Sequence, residues 1–346
     1  MSRAREEILA RRMNWRLLAR VARLYSRNGS HRALLQLGRH LGCKLGRKAS
    51  PHLVALGLTR RCQAGCDHCY AQASRNAELD EMKTGECLSV IDQFKGLAAL
   101  QVLFTGGEPL LRKDIFDLIA HAHEIGLLTR LSTNGYLLSR DCVAQLKRAG
   151  LNQCGVSIDY SDGDAHDRAR KLPGSYERVM QGLGYLRECG IERKIVCCVS
   201  REKIPEELER MIQLGERLQV NSVYFAIPCL SGRWMHSREK ALSEEEMARV
   251  RSLLRHPLVD MEFHTSRTMC SSYAKSFLYV SAVGDVTPCP AVPYVMGNVR
   301  QEPLADIWRG HVAMLDLESR GRCPMNNERQ RELFREHAAS VLANRE

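Results

Sequence analysis

The stretch at 61–73 reads RCQAGCDHCYAQA and sets Cys62, Cys66 and Cys69 in a C-x3-C-x2-C spacing. Thiolates are soft ligands that select iron–sulfur clusters, zinc or copper. A closed structural zinc site takes four ligands, and a disulfide framework takes paired thiols in a short secreted chain. Three thiolates instead suit a metal centre with one coordination position open. Each can ligate one iron of a [4Fe–4S] cube, which normally takes four cysteines, leaving one iron for a small chelating molecule. His68 could be counted as a fourth zinc ligand, but it lies inside the Cys66–Cys69 pair, too cramped to join both around one tetrahedral ion.

The three cysteines need a scaffold. Between about 52 and 227 the sequence alternates six apolar strand segments (52–59, 101–105, 127–133, 152–158, 191–199 and 220–227) with helical segments at 84–100, 113–126, 139–150, 176–190 and 205–218. Gly126, Gly150 and Gly190 supply helix stops. This alternation predicts an α/β fold, a parallel sheet with helices on its outer face. Six units fall short of a closed eight-unit barrel, so the expectation is a partial (β/α)6 TIM-like barrel with function at the C-terminal ends of its strands. The cysteines follow the first strand.

The other strand ends carry chemistry of their own. Gly106-Gly107-Glu108-Pro109 follows the second strand: glycines admit close backbone approach to a ligand, and a carboxylate can hold an ammonium group. Ser132 and Asn134 end the third strand, in a segment that also reads as an Asn-Gly turn. Asp159 ends the fourth and faces the same mouth. His166-Asp167-Arg168-Ala169-Arg170 follows, and reads on its face as a solvated basic loop. Ser200 ends the fifth.

Together these motifs, C-x3-C-x2-C with Tyr70 behind it, GGEP, Ser132–Asn134 and HDRAR before Gly174-Ser175-Tyr176, resemble the radical S-adenosylmethionine (SAM) enzymes over about 52–227. The resemblance implies a [4Fe–4S] cluster on Cys62, Cys66 and Cys69. It also implies SAM held by its methionine end near Gly106, Gly107 and Glu108, with Ser132, Asn134, Asp159, Arg170 and Ser200 as further SAM-facing candidates. Arg170 would pair with the SAM carboxylate. In such enzymes the cluster reduces SAM to a 5′-deoxyadenosyl radical that abstracts a substrate hydrogen. The cofactors carry the hard chemistry and the protein positions and shields them.

A second set, Cys270-x13-Gly284-x4-Cys289 followed by Cys323, resembles the SPASM/twitch extension that holds auxiliary clusters in a subset of that family. A full SPASM domain has a denser later run of cysteines; here none follows Cys323. The resemblance implies one auxiliary [4Fe–4S] cluster on Cys270, Cys289 and Cys323, with either an open iron or a non-cysteine fourth ligand. Cys43, Cys87, Cys142, Cys154, Cys189, Cys197, Cys198 and Cys229 lack metal spacing and read as packing residues, with Cys229 set apart by its place near the active mouth. A hairpin is expected over 276–300 and a capped helix over 243–255. The organisation is then 1–50, a basic helical segment; 51–230, the SAM core; and 231–346, the auxiliary-cluster domain.

Composition is that of a globular protein, at 44% hydrophobic and 26% charged residues, with no apolar run of the ~20 residues that cross a bilayer. Fourteen cysteines without an export signal point to a reducing, cytoplasmic setting. Residues 1–50 hold 13 Lys and Arg against Glu6 and Glu7, which accounts for the whole formal charge of +11. Arg16, Arg20, Arg23 and Arg27 share one helical face, as in a helix that contacts an anionic membrane surface or an acidic substrate. Nucleic acid ranks last, since no nucleic-acid module accompanies the charge. Expected partners are a reductant such as flavodoxin or ferredoxin and a small-molecule or peptide substrate in natural-product or cofactor biosynthesis. An iron–sulfur electron carrier or redox sensor without SAM chemistry is the rival reading, against which GGEP and the ordered strand-end motifs argue.

Overall fold

The computed structural model describes residues 31–46, 50–75, 79–261, 276–314 and 323–343. Cys270 and the arginine face at 16–27 lie outside the described residues. The chain forms α1 (His31–Leu45), β1 (Leu53–Gly57), α2 (Thr84–Gly96), β2 (Gln101–Thr105), α3 (Ile115–Glu124), β3 (Leu128–Thr133), α4 (Arg140–Arg148) and β4 (Gln153–Ser157). There follow α5 (Gly163–Arg170), α6 (Ser175–Glu188), β5 (Glu192–Cys198), α7 (Glu206–Arg217) and β6 (Ser222–Ala226). The C-terminal part adds α8 (Glu244–Ser252), β7 (Val259–Met261), β8 (Phe277–Val280), β9 (Asp285–Thr287), β10 (Gly297–Asn298), α9 (Leu304–Met314) and α10 (Glu328–Ala343).

All six expected strands form, each within a few residues of its sequence bounds. The sheet is larger than six strands. Its order is β10-β9-β8-β1-β2-β3-β4-β5-β6-β7. β8 pairs in parallel with β1, and β7 in parallel with β6, so eight neighbouring strands run the same way. The short β7 and β8 lack the long apolar signature that betrays the inner strands. β8 and β9 make the expected antiparallel hairpin, with Gly284 in its turn.

The inner strands are largely buried, and their apolar side chains pack under the helices. Val54, Leu56, Phe104, Leu131, Ile195 and Phe225 are fully or nearly fully buried in one continuous core. Local capping sets the helix starts. The Ser139 hydroxyl accepts from Cys142 N–H at the head of α4, and Ser243 with Glu246 closes a capping box on α8. The expected basic loop at 166–170 is instead part of helix α5, started by Asp162, whose carboxylate accepts from Ala165 N–H. At the opposite end of the sheet from the cysteine loop, α1 docks by Gln36 Nε2, which donates to the Ala99 carbonyl at 2.8 Å. Among the described residues no helix is long and apolar enough to cross a membrane.

Candidate active site

The loop after β1 carries Cys62, Cys66 and Cys69 into one small cluster with Ala64, Ala73 and Leu172, separate from the main core. Burial pushes the Cys62 thiol up to about 11 and raises Cys66 as well. Such thiols ionise only when something favourable replaces the lost water. Each sulfur already has a donor: Asn134 Nδ2 lies 3.7 Å from Cys62 Sγ, Arg170 Nη1 3.6 Å from Cys66 Sγ, and Ala73 N 3.4 Å from Cys69 Sγ. Hydrogen bonds to ligating sulfurs are among the features that set an iron–sulfur potential. Among the described residues no three His, Cys, Asp or Glu side chains form a ready site for a single metal ion. Three spread thiols suit the separate irons of a cube.

Glycine brings the second strand end to this loop. Gly106 has φ +132°, and a Cβ there would stand 2.4 Å from the Thr59 carbonyl; a Cβ on Gly107 would stand 2.3 Å from that of Arg61. The bare backbone lets Gly107 N–H donate to Thr59 O at 2.6 Å and Glu108 N–H donate to Arg61 O at 2.8 Å. The Glu108 carboxylate turns inward. It is fully buried and accepts from Thr133 Oγ1 at 2.7 Å, Asn134 N at 2.8 Å and Leu110 N at 3.1 Å. Burial outweighs these donors and pushes its carboxyl up to about 7. Glu108 therefore ties the β2 end to the β3 end with its side chain, while the backbone at 106–107 borders the cysteine loop.

Asp159 lies fully buried beyond β4. Its Oδ2 is 2.7 Å from Arg170 Nε, and its Oδ1 is 3.7 Å from Lys203 Nζ and accepts from Cys198 N at 3.0 Å. Burial alone would raise its carboxyl, but the Arg170 guanidinium and Lys203 hold it well below the usual range. His68 Nε2 is 3.4 Å from the same carboxylate, yet burial lowers this imidazole to about 4, so at neutral pH the contact is not an ion pair. Two cations thus share one carboxylate under Cys66. Gln63 Oε1, Asp159 Oδ2 and Arg170 Nε are buried without an aligned hydrogen-bond partner. Of these, Asp159 Oδ2 and Arg170 Nε face each other as an ion pair, whereas Gln63 Oε1 beside the thiol loop is left without a partner, which is what a site built for a further group shows.

Ser132 lies half-buried on β3, and Ser200 sits beyond β5 with its hydroxyl donating to Glu202 at 2.7 Å. Two contributors escape a sequence reading. Lys203 reaches the site from a 3-10 turn. Arg233 returns from far along the chain: its N–H donates to Cys69 O at 3.1 Å, Nη1 to Cys66 O at 2.6 Å and Nη2 to Ala73 O at 2.7 Å. Its neighbour Gly232, at φ +55°, packs where a Cβ would stand 2.3 Å from Cys69 O. In sequence this segment offers no cue beyond a glycine before an arginine.

The second cysteine region forms around the hairpin. Cys289 and Cys323 pack with Cys229 on a patch of Val292, Met325 and Phe334. Ala291 N–H approaches Cys289 Sγ at 3.4 Å, and Cys323 Sγ lies 3.4 Å from Cys229 Sγ. Cys229, read from the sequence as a packing residue, packs on this apolar patch with its sulfur beside that of Cys323.

Comparison with known proteins agrees with both regions. Residues 56–215 match the Radical SAM superfamily, and residues 270–334 match SPASM, an iron–sulfur cluster-binding domain. The AdoMet-dependent heme synthase of Nitratidesulfovibrio vulgaris is 29% identical over 288 residues, 74% of this chain and 78% of that one. The PqqA peptide cyclase of Granulibacter bethesdensis is 28% identical, over 73% of this chain and 72% of its own. Streptococcus suis SuiB, solved with its precursor peptide SuiA, shares the fold at a TM-score of 0.68 and 15% identity, over 83% of this chain and 75% of that one. The chain belongs to the radical SAM superfamily and carries a C-terminal SPASM domain: it is an enzyme whose cofactors are SAM, the [4Fe–4S] cluster that SAM requires and an auxiliary iron–sulfur cluster.

Proposed function

We propose that Cys62, Cys66 and Cys69 hold the SAM cluster, that Cys270, Cys289 and Cys323 hold the auxiliary one, and that the enzyme oxidises an anionic biosynthetic intermediate. The observation that carries the first assignment is the donor on each of the three N-terminal sulfurs. When bound, the cluster would supply the electron for reductive cleavage of SAM, and SAM the hydrogen-abstracting group. The protein's own part is positional. Gly106 and Gly107 offer bare backbone to the methionine end. Glu108 fixes the β3 end so that Asn134 reaches Cys62, while Ser132 and Ser200 border the pocket. The Arg170 guanidinium, 3.6 Å from Cys66 Sγ, offsets part of the burial of that thiol and favours its ionised form.

In this reading 51–230 is the SAM core, and β7 and β8 from the region 231–346 extend its sheet. A low-potential donor of the flavodoxin or ferredoxin type supplies the electron. The substrate class follows from two supports: the heme synthase relatives align over most of the chain, and the whole charge excess lies in 1–50, where a carboxylated substrate or an anionic membrane surface would dock. A peptide substrate is the second reading, favoured by the cyclase relative.

The test is anaerobic turnover with SAM and dithionite, reading 5′-deoxyadenosine. Stimulation by a carboxylated iron porphyrin and not by an acidic peptide is expected. The opposite pattern would move the assignment to peptides, and no SAM cleavage at all would end it.

A further inference from the structure

Helix α1 crosses the end of the sheet where β2 and β3 begin, away from the cysteine loop. Its inner face is fixed by polar and small side chains. Gln36 Nε2 donates to the carbonyls of Lys95 and Ala99 at 3.2 and 2.8 Å, His40 Nδ1 lies 3.0 Å from Ala98 O, and Ala33 packs on Leu100 and Leu128. The outer face is apolar where water should favour polar residues. Leu34, Leu35, Leu41 and Leu45 are 59%, 65%, 39% and 86% exposed. At about 3.6 residues per turn all four point away from the side that carries Gln36 and His40. Gly38 and Gly42 lie between them, and a Cβ on either would meet nothing within 4 Å. Among the described residues, then, nothing covers the middle of this face. Single exposed leucines are ordinary, but four on one short helix make a patch that calls for a partner.

The charge around the patch identifies the partner. Arg32 and Arg39 are exposed on α1, and α4, α6 and α7 end at this same end of the sheet with Lys147, Arg148, Arg187 and Arg217 exposed in their last turns. Against these six cations stand the exposed Glu124, Glu188 and Glu216, so the end is basic. A helix C-terminus favours a cation by itself, but that does not account for leucines beside it. A second copy would bring a like-charged face and be repelled, whereas an anionic surface is attracted. We infer that this end of the protein rests on an anionic membrane surface, with Leu34, Leu35, Leu41 and Leu45 entering the boundary between headgroups and acyl chains and the surrounding arginines and lysines meeting lipid phosphates. The inference rests on the reading that the N-terminal charge excess meets an anionic partner, and it assigns that partner as lipid; it is independent of the cluster assignments. Its consequence is orientation. The cysteine loop lies at the opposite end of the sheet, so SAM and the electron donor reach it from the aqueous side.

The test is co-sedimentation of the full chain with vesicles made of equal parts phosphatidylglycerol and phosphatidylcholine. The protein should bind these and not vesicles of phosphatidylcholine alone. Leu34→Gln, Leu41→Gln and Leu45→Gln together keep good helix formers and should weaken binding about tenfold or more, through the apolar area lost. Arg39→Glu with Arg148→Glu should weaken it too, as should raising salt from ~0.1 M to ~1 M, which shortens screening from about 10 Å to about 3 Å. Gly38→Leu adds an apolar side chain in open space and should tighten binding; it decides the matter if circular dichroism shows the glutamine variant unfolded. SAM cleavage with dithionite should be the same in every variant. No binding by the unaltered chain, equal binding to both kinds of vesicle, or binding indifferent to the leucine and Gly38 variants would overturn the inference. So would a dimer in analytical ultracentrifugation that the leucine variant dissolves, which would give the face to a second copy. Stimulation of SAM cleavage by a carboxylated iron porphyrin without vesicles reads the proposed function separately: stimulation without vesicle binding would sink only this inference, and vesicle binding without stimulation only the substrate assignment.

Discussion

The two cysteine regions are built in opposite ways. The first is local: three thiols within one loop after β1, each with its own hydrogen-bond donor. The second is assembled from remote pieces, with Cys229 beyond β6, Cys289 beyond β9 and Cys323 before the last turn. A site that must present an open iron to a small molecule benefits from a dedicated loop with prearranged donors. The thiols of the second region meet on an apolar patch drawn from separate elements. The difference lies in how far along the chain each set of thiols is gathered.

The largest effect is expected where the comparison is sharpest. Replacing Cys62, Cys66 and Cys69 by Ala should take SAM cleavage to background and remove half of a total of about eight irons; retention of all the iron would break the distinction. Replacing Cys289 and Cys323 by Ala should leave uncoupled SAM cleavage running while product formation stops. Chromatography of 5′-deoxyadenosine and of product from the same reaction separates the two, and normal turnover would make the second region structural.

A smaller effect is expected at the contact between the regions. Arg233→Ala removes two side-chain hydrogen bonds to the cysteine loop and should cost about 1–2 kcal/mol in chemical denaturation. Arg233→Lys should recover only part of it, since an ammonium group lacks the planar fork that spans two carbonyls. A pH-dependent effect, silent in SAM cleavage, concerns Glu108. Its carboxyl is raised to about 7 in the fold, so between its unfolded value and pH 7 the native state holds the extra proton. Stability from this group is full below pH ~4.5, falls as pH rises toward 7 and levels off above, by about 3 kcal/mol in all. Glu108→Gln should flatten that slope in denaturation of the metal-free protein between pH 5 and 8.

The barrel was legible because its inner strands are long apolar runs and its helices stop at glycines; β1 to β6 needed no further information. The N-terminal thiols were legible because their spacing is local. What the sequence hid was long-range. β8 beside β1 is a pairing across more than 200 residues. The inward turn of the Glu108 carboxylate depends on donors from β3, Thr133 above all. The helix over 163–170 was masked by its charge, because its apolar partners are few and its start relies on the Asp162 cap. Cys229 carried no spacing signal at all, since the thiol it meets arrives only when the chain has folded back on itself.

The bonds from Arg233 to Cys66 and Ala73 span 167 and 160 residues. During synthesis at 5–20 residues per second, the cysteine loop therefore leaves the ribosome roughly 10–30 s before its clamp exists. For that interval the three thiols have their own loop and, as they emerge, Asn134 and Arg170 to hold them, but not the clamp. Cluster insertion into the emerging chain would meet an unclamped loop, and insertion after release would meet the closed one, so the timing of iron delivery relative to translation is set by where Arg233 lies in the sequence.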